Sequence, residues 1–322
     1  MEKLLLNLQL FAEMNTNTTL VEGLSPENKT FYDKTLIVEA SAELVHDQFA
    51  QKRPIPKNGG KKIEFRKFGS LPKALTPLTE GVTPDGKNLS VTAIEAEVAQ
   101  YGDYIVQSDV LELTSIDNTI VEATKVLGKQ AGLTLDTITR NALQSGTNVY
   151  YCGGVDSRGA LTADSKLTCK DVKNIAAILK GNNAPKIDGS YVAIIHPYVA
   201  TDLMNDPEWI DAHKYTTSDN IYEGELGKIG GVRFVESTEA KVYDGGVFGT
   251  LFLGANAYGT TEVEGGGLQT IIKQKGSAGT ADPLDQRSSI GWKALKTAEI
   301  LIDAYIVRAE SKSSFSSQAK AN

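Results

Sequence analysis

At 322 residues, with 41% hydrophobic residues and a formal charge of −7, the chain can bury a substantial core, as two subdomains rather than one. The acidic balance argues against nucleic-acid recognition, which usually brings a basic excess with interleaved aromatics. No apolar run approaches the roughly 18 to 20 residues of a bilayer span. Only Cys152 and Cys169 are present, in no metal-binding spacing, so the chain reads as soluble and cytosolic with two reduced thiols.

The opening MEKLLLNLQLFAE has a lysine before an apolar run, as a signal peptide does, but Asn7 and Gln9 interrupt the run and no small-x-small cleavage site follows. Leu4, Leu5, Leu8, Phe11 and Ala12 keep helical spacing along one stripe. This predicts a small amphipathic helix that seeks a partner surface. After the polar linker MNTNTTL, the segment from Ser25 to Gln51 reads as a helix with Ser25 as N-cap, Pro26 at the first helical position and Glu27 in the first turn. Leu36, Val38, Leu44, Val45 and Phe49 supply its apolar residues. His46 sits among them with no paired carboxylate and nucleophile in view, so it is a packing or hydrogen-bonding residue.

Between Lys52 and Val106 there is no helical period. KKIEFRKF and AIEAEV alternate, with Ile63 and Phe65, then Ile94, Ala96 and Val98, opposite charged neighbours. The tip between them carries Pro72, Pro77, Pro84, Gly81 and Gly86, which favour turns over continuous sheet. A two-stranded ribbon is marginal in water, so its missing partner surface is expected on another subunit. Charge is segregated along it: eight basic residues to one acid from Lys52 to Lys73, nine acids to one base from Glu80 to Glu122. Two readings stand. Either the legs of one hairpin pair by charge or remain solvated, or a basic arm docks on an acidic neighbour. The contact candidates are Lys61, Lys62, Arg66, Lys67, Glu95 and Glu97.

From Ile116, apolar residues recur at Ile120, Ala123, Leu127, Ala131, Leu135, Ile138 and Ala142, which predicts one long helix from Thr114 to Gly146. Thr114 with Asp117 resembles a capping box, and Gly128 and Gly132 point to close packing against one side. Beyond Gly146 the texture becomes α+β. DVKNIAAILKG reads as a helix, YVAIIH as a buried strand, and Pro197 opens the helix PYVATDLMN. KIGGVRFVES, GVFGTLFLG and LQTIIKQK read as strands. The last structured part holds one strand around Trp292 and a second from Ile300 to Val307. The tail SKSSFSSQAKAN is too polar to fold alone.

Catalytic signatures are absent from this layout: no phosphate loop, no HExxH, no GxSxG and no zinc-spaced Cys/His set. The glycines of GELGKIGG, Gly224, Gly227 and Gly230, read as turn glycines rather than a phosphate cradle. His196 ends a strand where an α/β enzyme might keep a base, yet it precedes a helix start and reads as a cap; His213 has no evident partner. Glu262 and Glu264 form an acidic loop that is ordinarily solvated. No catalytic, cofactor-binding or metal site is assigned, and no cofactor is expected.

Taken in order, LLLNLQLFA, the long arm and its following helix, YVAIIHPYVATDL, GELGKIGGVRFVES, LGANAYGTTEVEGGG and DPLDQRSSIGWKALKTAEILIDAYIVRAES resemble the major capsid protein of tailed bacteriophages over nearly the whole chain. The resemblance implies the Hong Kong 97-like fold: an N-terminal arm (1–51), an extended loop region (52–108), a peripheral domain with a long spine helix (109–149 and 284–310), an axial domain (150–283) and a flexible tail (311–322). It implies a structural protein, not an enzyme, whose hexamers and pentamers close into a virion head around double-stranded DNA without sequence-specific binding, assembled in the host cytoplasm and without a membrane. A separate scaffolding protein is expected, since only about 25 residues precede the arm helix, together with portal and possible decoration proteins. Leu4, Leu5, Leu8 and Phe11 are the scaffold- or neighbour-contact candidates. The alternatives are an encapsulin-like nanocompartment shell and a soluble α+β enzyme using His196.

Overall fold

The computed structural model describes residues 35–40, 44–56, 60–68, 71–78, 80–83, 85–115, 119–213, 226–261, 266–277 and 282–322. Its first half contains β1 (Gln51–Lys52), β2 (Lys62–Phe68), β3 (Val91–Glu97), β4 (Ala99–Ser108), the short helix α1 (Asp109–Thr114), the long helix α2 (Thr119–Gln144) and β5 (Val149–Tyr151). Next come α3 (Cys169–Gly181), β6 (Tyr191–Ile195), α4 (Pro197–Met204) and α5 (Pro207–His213). The strands β7 (Lys228–Ile229), β8 (Val232–Glu236), β9 (Lys241–Tyr243), β10 (Val247–Leu253), β11 (Tyr258–Thr261), β12 (Gln269–Lys273), β13 (Arg287–Ile300) and β14 (Ile306–Ser311) complete it.

The strands form two large sheets and a separate ribbon. One sheet has the order β1-β11-β13-β12 with β4 also pairing β13; the other has the order β5-β14-β10-β6-β8-β7 with β9 on β10; β2 and β3 stand apart as a hairpin. β13 runs for 14 residues and holds β4 antiparallel from Arg287↔Ser108 to Lys296↔Ala99. Its length makes it the backbone of the first sheet.

α2 forms where the periodicity predicts, with Ala123, Leu127, Ala131 and Leu135 buried in one cluster with Ile290, Trp292 and Ala294 of β13. At 26 residues it is about 39 Å long. The predicted close approach is real at Gly128, where a Cβ would lie 2.9 Å from the Leu36 carbonyl oxygen and 3.0 Å from Glu39 Cβ. The expected start is different. Thr114 ends α1, its hydroxyl donating to Val110 O at 2.6 Å, and Ser115 is extended, so the run breaks before α2 begins. Asp117, the other half of the expected capping box, lies outside the described residues.

The expected helix from Ser25 to Gln51 is also interrupted. Residues 35–40 are helical, but 44–50 form turns, with Val38 exposed rather than buried. Polar anchoring explains the break: Asp136 Oδ1 accepts from Val45 N at 2.9 Å and His46 N at 2.7 Å, while Asp136 Oδ2 meets His46 Nδ1 at 2.6 Å. A carboxylate buried on α2 is satisfied by backbone N–H groups that a helix would have consumed. Asp47 and Lys296, both buried, pair at 2.8 Å beside it. His46 is thus the hydrogen-bonding residue expected, and it is inaccessible.

In the second sheet, α3 begins with a capping box of Thr168 and Asp171 and buries Val172, Ile175, Ala176 and Leu179. β6 is buried along its whole length, and His196 caps α4 by accepting from Tyr198 N at 3.2 Å. Gly230 and Gly231, both at positive φ, make the two-residue link from β7 to β8, the turn that glycines permit. Three expectations about the division of the chain change. β11 and β12, inside the stretch assigned to the axial domain, pair with β13. β14, assigned to the peripheral strands, pairs β10 and β5 of the other sheet and starts only after a 3-10 turn at Asp303–Tyr305. Side-chain alternation reports a strand but not the sheet it joins.

The tail is the third correction, since it is held rather than free. Asp202 accepts from Ser313 Oγ at 2.7 Å, Ser314 N at 2.8 Å and Ser314 Oγ at 2.7 Å, Phe315 stacks on Tyr198 at 5.0 Å between centroids, and Asn322 Oδ1 accepts from Val242 N at 2.9 Å. A polar segment needs partners, and α4 and β9 supply them. Burial acts to raise the Asp202 pKa, but the hydrogen bonds from Ser314 and Ser313 and the nearby Lys166 together hold it below the ordinary carboxylate range. A depressed carboxylate stabilises above its unfolded pKa and loses that contribution as pH falls through its folded value. Protection of the Ser314 amide from hydrogen exchange, corrected for intrinsic rate, should therefore fall below about pH 4, and Asp202→Asn should lose that protection at neutral pH as well. At Gly128, the Val substitution should lower the unfolding free energy by about 1–3 kcal/mol in denaturant titration, because a backbone oxygen has to move.

Candidate assembly surfaces

The arm hairpin pairs Lys62↔Glu97, Glu64↔Glu95, Phe65↔Ile94 and Lys67↔Thr92. Its inward side is anchored. Phe65 and Ala96 are buried, and a Cβ on Gly259 of β11 would lie 2.7 Å from the Phe65 ring, so only glycine lets that ring seat on the strand. Arg53 lies 5.8 Å over the same ring, and Val98 N donates to Lys61 O at 2.9 Å to close the base.

The outward side carries the predicted contact residues. Lys61, Lys62, Arg66, Glu95 and Glu97 are all exposed, and the register brings Lys62, Arg66, Glu95 and Glu97 together with Glu64 on one face. Lys67 lies in β2, within the same hairpin. Lys62 meets Glu95 at 3.3 Å and Arg66 meets Glu64 at 3.6 Å. The pairing of the two legs, one of the two readings left open by the sequence, is realised at Lys62–Glu95. With side chains 66% and 68% exposed, that pair contributes at most about 1 kcal/mol to the fold. Its charges remain available to another chain.

Beyond Phe68 the described tip residues join no strand of the same chain, and Leu71, Leu75, Leu78, Val82 and Leu89 are exposed, Leu75 at 82%. Tips of this kind are ordinarily polar, so a series of bare apolar side chains marks a contact surface. A second such surface was missed in the sequence. Val110 and Leu113 of α1, at 62% and 81% exposure, and Leu284, at 76%, lie near the junction where Asp109 N donates to Gln286 O at 2.9 Å. The signal is present in DVLELT, but the helical period noted in the sequence begins only at Ile116. Leu4, Leu5, Leu8 and Phe11 lie outside the described residues, as do Glu262 and Glu264.

The chemistry of the other singled-out residues is structural. Burial pushes the Cys152 thiol well up and the Cys169 thiol to about 12, the opposite of an activated nucleophile. The His196 Nδ1 is occupied by its capping bond, and burial lowers the pKa of the ring. Among the described residues no cluster of metal-ligating side chains occurs, and no helix is long and apolar enough to cross a membrane.

The profile of the phage capsid protein family matches residues 134–273. No curated protein sequence matches the chain. Solved structures with the same fold include the cyanophage Pam1 capsid, at 12% identity and a TM-score of 0.64 over 85% of this chain and 92% of that one. The capsid of Ralstonia phage GP4 shares 14% identity, with a TM-score of 0.63 over 82% and 87%. A virus-like particle from Pyrococcus furiosus shares 11%, with a TM-score of 0.51 over 88% and 99%. The fold is accordingly the Hong Kong 97-like capsid fold. Residues 134–273 thus resemble the phage capsid protein family, and the chain as a whole has the fold of the phage capsid proteins.

For the arm charges, reversal of Lys61, Lys62, Arg66 and Lys67 to Glu should leave thermal unfolding of the subunit nearly unchanged while slowing or blocking assembly followed by light scattering. Assembly of the unaltered protein should depend on ionic strength, because exposed charges are screened over about 8 Å at physiological salt.

Proposed function

We propose that many copies of this chain, as hexamers and pentamers, close into the icosahedral head shell of a tailed phage and enclose its double-stranded DNA without reading its sequence. The observation that carries this reading is the arm: a hairpin anchored at its base by Phe65 on Gly259, with an apolar tip that its own chain leaves bare. Such a tip contributes nothing to the subunit's core. It acquires a purpose when a neighbouring subunit covers it, and the capsid fold supplies neighbours on every side.

In this reading the exposed charges of the hairpin set register and association rate between subunits, and the leucines of the tip supply the buried area. The protein is structural and non-enzymatic, resides in the virion and is assembled in the host cytoplasm. Its further partners are a separate scaffolding protein, a portal and decoration proteins. The peripheral domain is α2 with the β13 sheet, and the axial domain is the sheet centred on β10.

Deletion of Pro72 to Gly86 tests the reading. The shortened subunit should keep its circular dichroism spectrum and unfolding temperature within a few degrees of the parent, yet fail to give normal shells by negative-stain microscopy. Particles of unchanged size and stability would overturn the role given to the arm, and a parent protein that stays monomeric would overturn the shell itself.

A further inference from the structure

Lys296 and Asp47 meet where neither charge is well accommodated. Both side chains are buried, at 2% and 6% exposure, and Lys296 Nζ lies 2.8 Å from Asp47 Oδ1. The contact nevertheless lacks the alignment of a hydrogen bond, and Asp47 Oδ1 finds no other hydrogen-bond donor among the described residues. A buried ion pair offsets its desolvation only through good geometry and further hydrogen bonds. Glu310 meets that condition, accepting aligned bonds from two nitrogens of Arg158 at 2.6 Å each. Asp47 does not.

The surroundings suit a reaction that removes both charges. Asp47 Cγ is one bond beyond Oδ1, hence within about 4 Å of Nζ and near the separation of about 3–3.5 Å from which bonds form. Groups that exchange protons stand in the same cluster. The Tyr258 hydroxyl donates to the His46 carbonyl, close enough to Asp47 and Asp136 for both charges to act on it, and Asp136 holds His46 at Nδ1 while its Nε2 is buried and unpartnered. Water, which competes with amide formation, is kept away by the joint burial of Lys296, Asp47, His46 and Asp136.

We infer that Lys296 Nζ and Asp47 Cγ join in an isopeptide bond within one chain. The ammonium gives one proton to the carboxylate, the amine nitrogen attacks Cγ, a second proton passes from that nitrogen to the departing oxygen, and the C–O bond breaks. One water leaves, and no oxidant, reductant or further reactant is consumed. A neutral amide replaces two buried charges, and β13 is fastened to the N-terminal approach by a covalent link that closes a long loop of chain.

Mass spectrometry of the full chain, unfolded in denaturant after purification, is the test. The intact mass should fall below the sequence mass by that of one water, and a protease digest should yield a branched peptide that joins the segments holding Asp47 and Lys296. Asp47→Asn should form the same amide with loss of ammonia and so end at the mass of the cross-linked parent, whereas Lys296→Met should keep its full sequence mass. Linear peptides for both residues, in a parent chain whose circular dichroism shows it folded, would overturn the inference. Water lost without a branched peptide, as from a cyclised aspartate, would overturn it equally, and so would a bond from Lys296 to Asp47 of another chain. Should Lys296→Met fail to fold, the digest of the parent alone gives the decision.

Discussion

The junction between the two sheets depends on one buried carboxylate. Glu310 of β14 is fully buried, and it accepts two hydrogen bonds from Arg158 at 2.6 Å each while Arg308 Nε lies at 3.0 Å. Arg308 also donates to the carbonyls of Gln144 and Gly146 at the end of α2. A guanidinium therefore joins the negative end of the long helix to an acid on the neighbouring sheet. A buried charge is tolerated only when its partners are fixed, and removing one partner costs far more than the pair contributes. The requirement ties the C-terminal end of α2 to the sheet centred on β10. Gln144 adds to the same joint by donating to Gly249 O at 3.0 Å and accepting from Tyr243 OH at 2.8 Å.

A second buried polar group, on α2 itself, performs a similar task. Asp136 gathers the backbone of residues 45 and 46 together with the His46 ring, and Lys296 of β13 pairs with Asp47. Tyr258 of β11 donates to the His46 carbonyl. Helix, long strand and N-terminal approach are thereby tied at one level. The apolar cluster around α2 is thin, α2 and the helical residues 35–40 on a single sheet, and directional polar contacts add to its packing in fixing the geometry.

These two ties determine how the molecule presents itself to copies of itself. The three apolar clusters are buried, whereas the arm tip, α1 with Leu284, and Val126 of α2 leave apolar side chains bare. A monomeric protein rarely tolerates so many such patches. A shell protein requires them, because each subunit contacts several neighbours and each contact needs its own surface. The weak charge pairs of the hairpin suit this arrangement: their contribution to the fold is small, so they remain able to guide association.

The sequence alone determined the elements with strong periods and strong end signals. The stripe of Ala123, Leu127, Ala131 and Leu135 located α2, the alternation of KKIEFRKF and AIEAEV located the hairpin and its faces, and Pro197 after an apolar run located both β6 and the cap at His196. The order of segments carried the resemblance to phage capsid proteins. What the tertiary structure decided was every question of partnership. Whether β14 joins one sheet or the other, why the helix expected through residue 51 gives way to turns, and how a serine-rich tail finds Asp202 all depend on groups remote in the chain: β10, Asp136 and α4. Local pattern reports the period of a side-chain row and the residues that can end it; the identity of the surface opposite that row is set by long-range contacts, which a single sequence does not display.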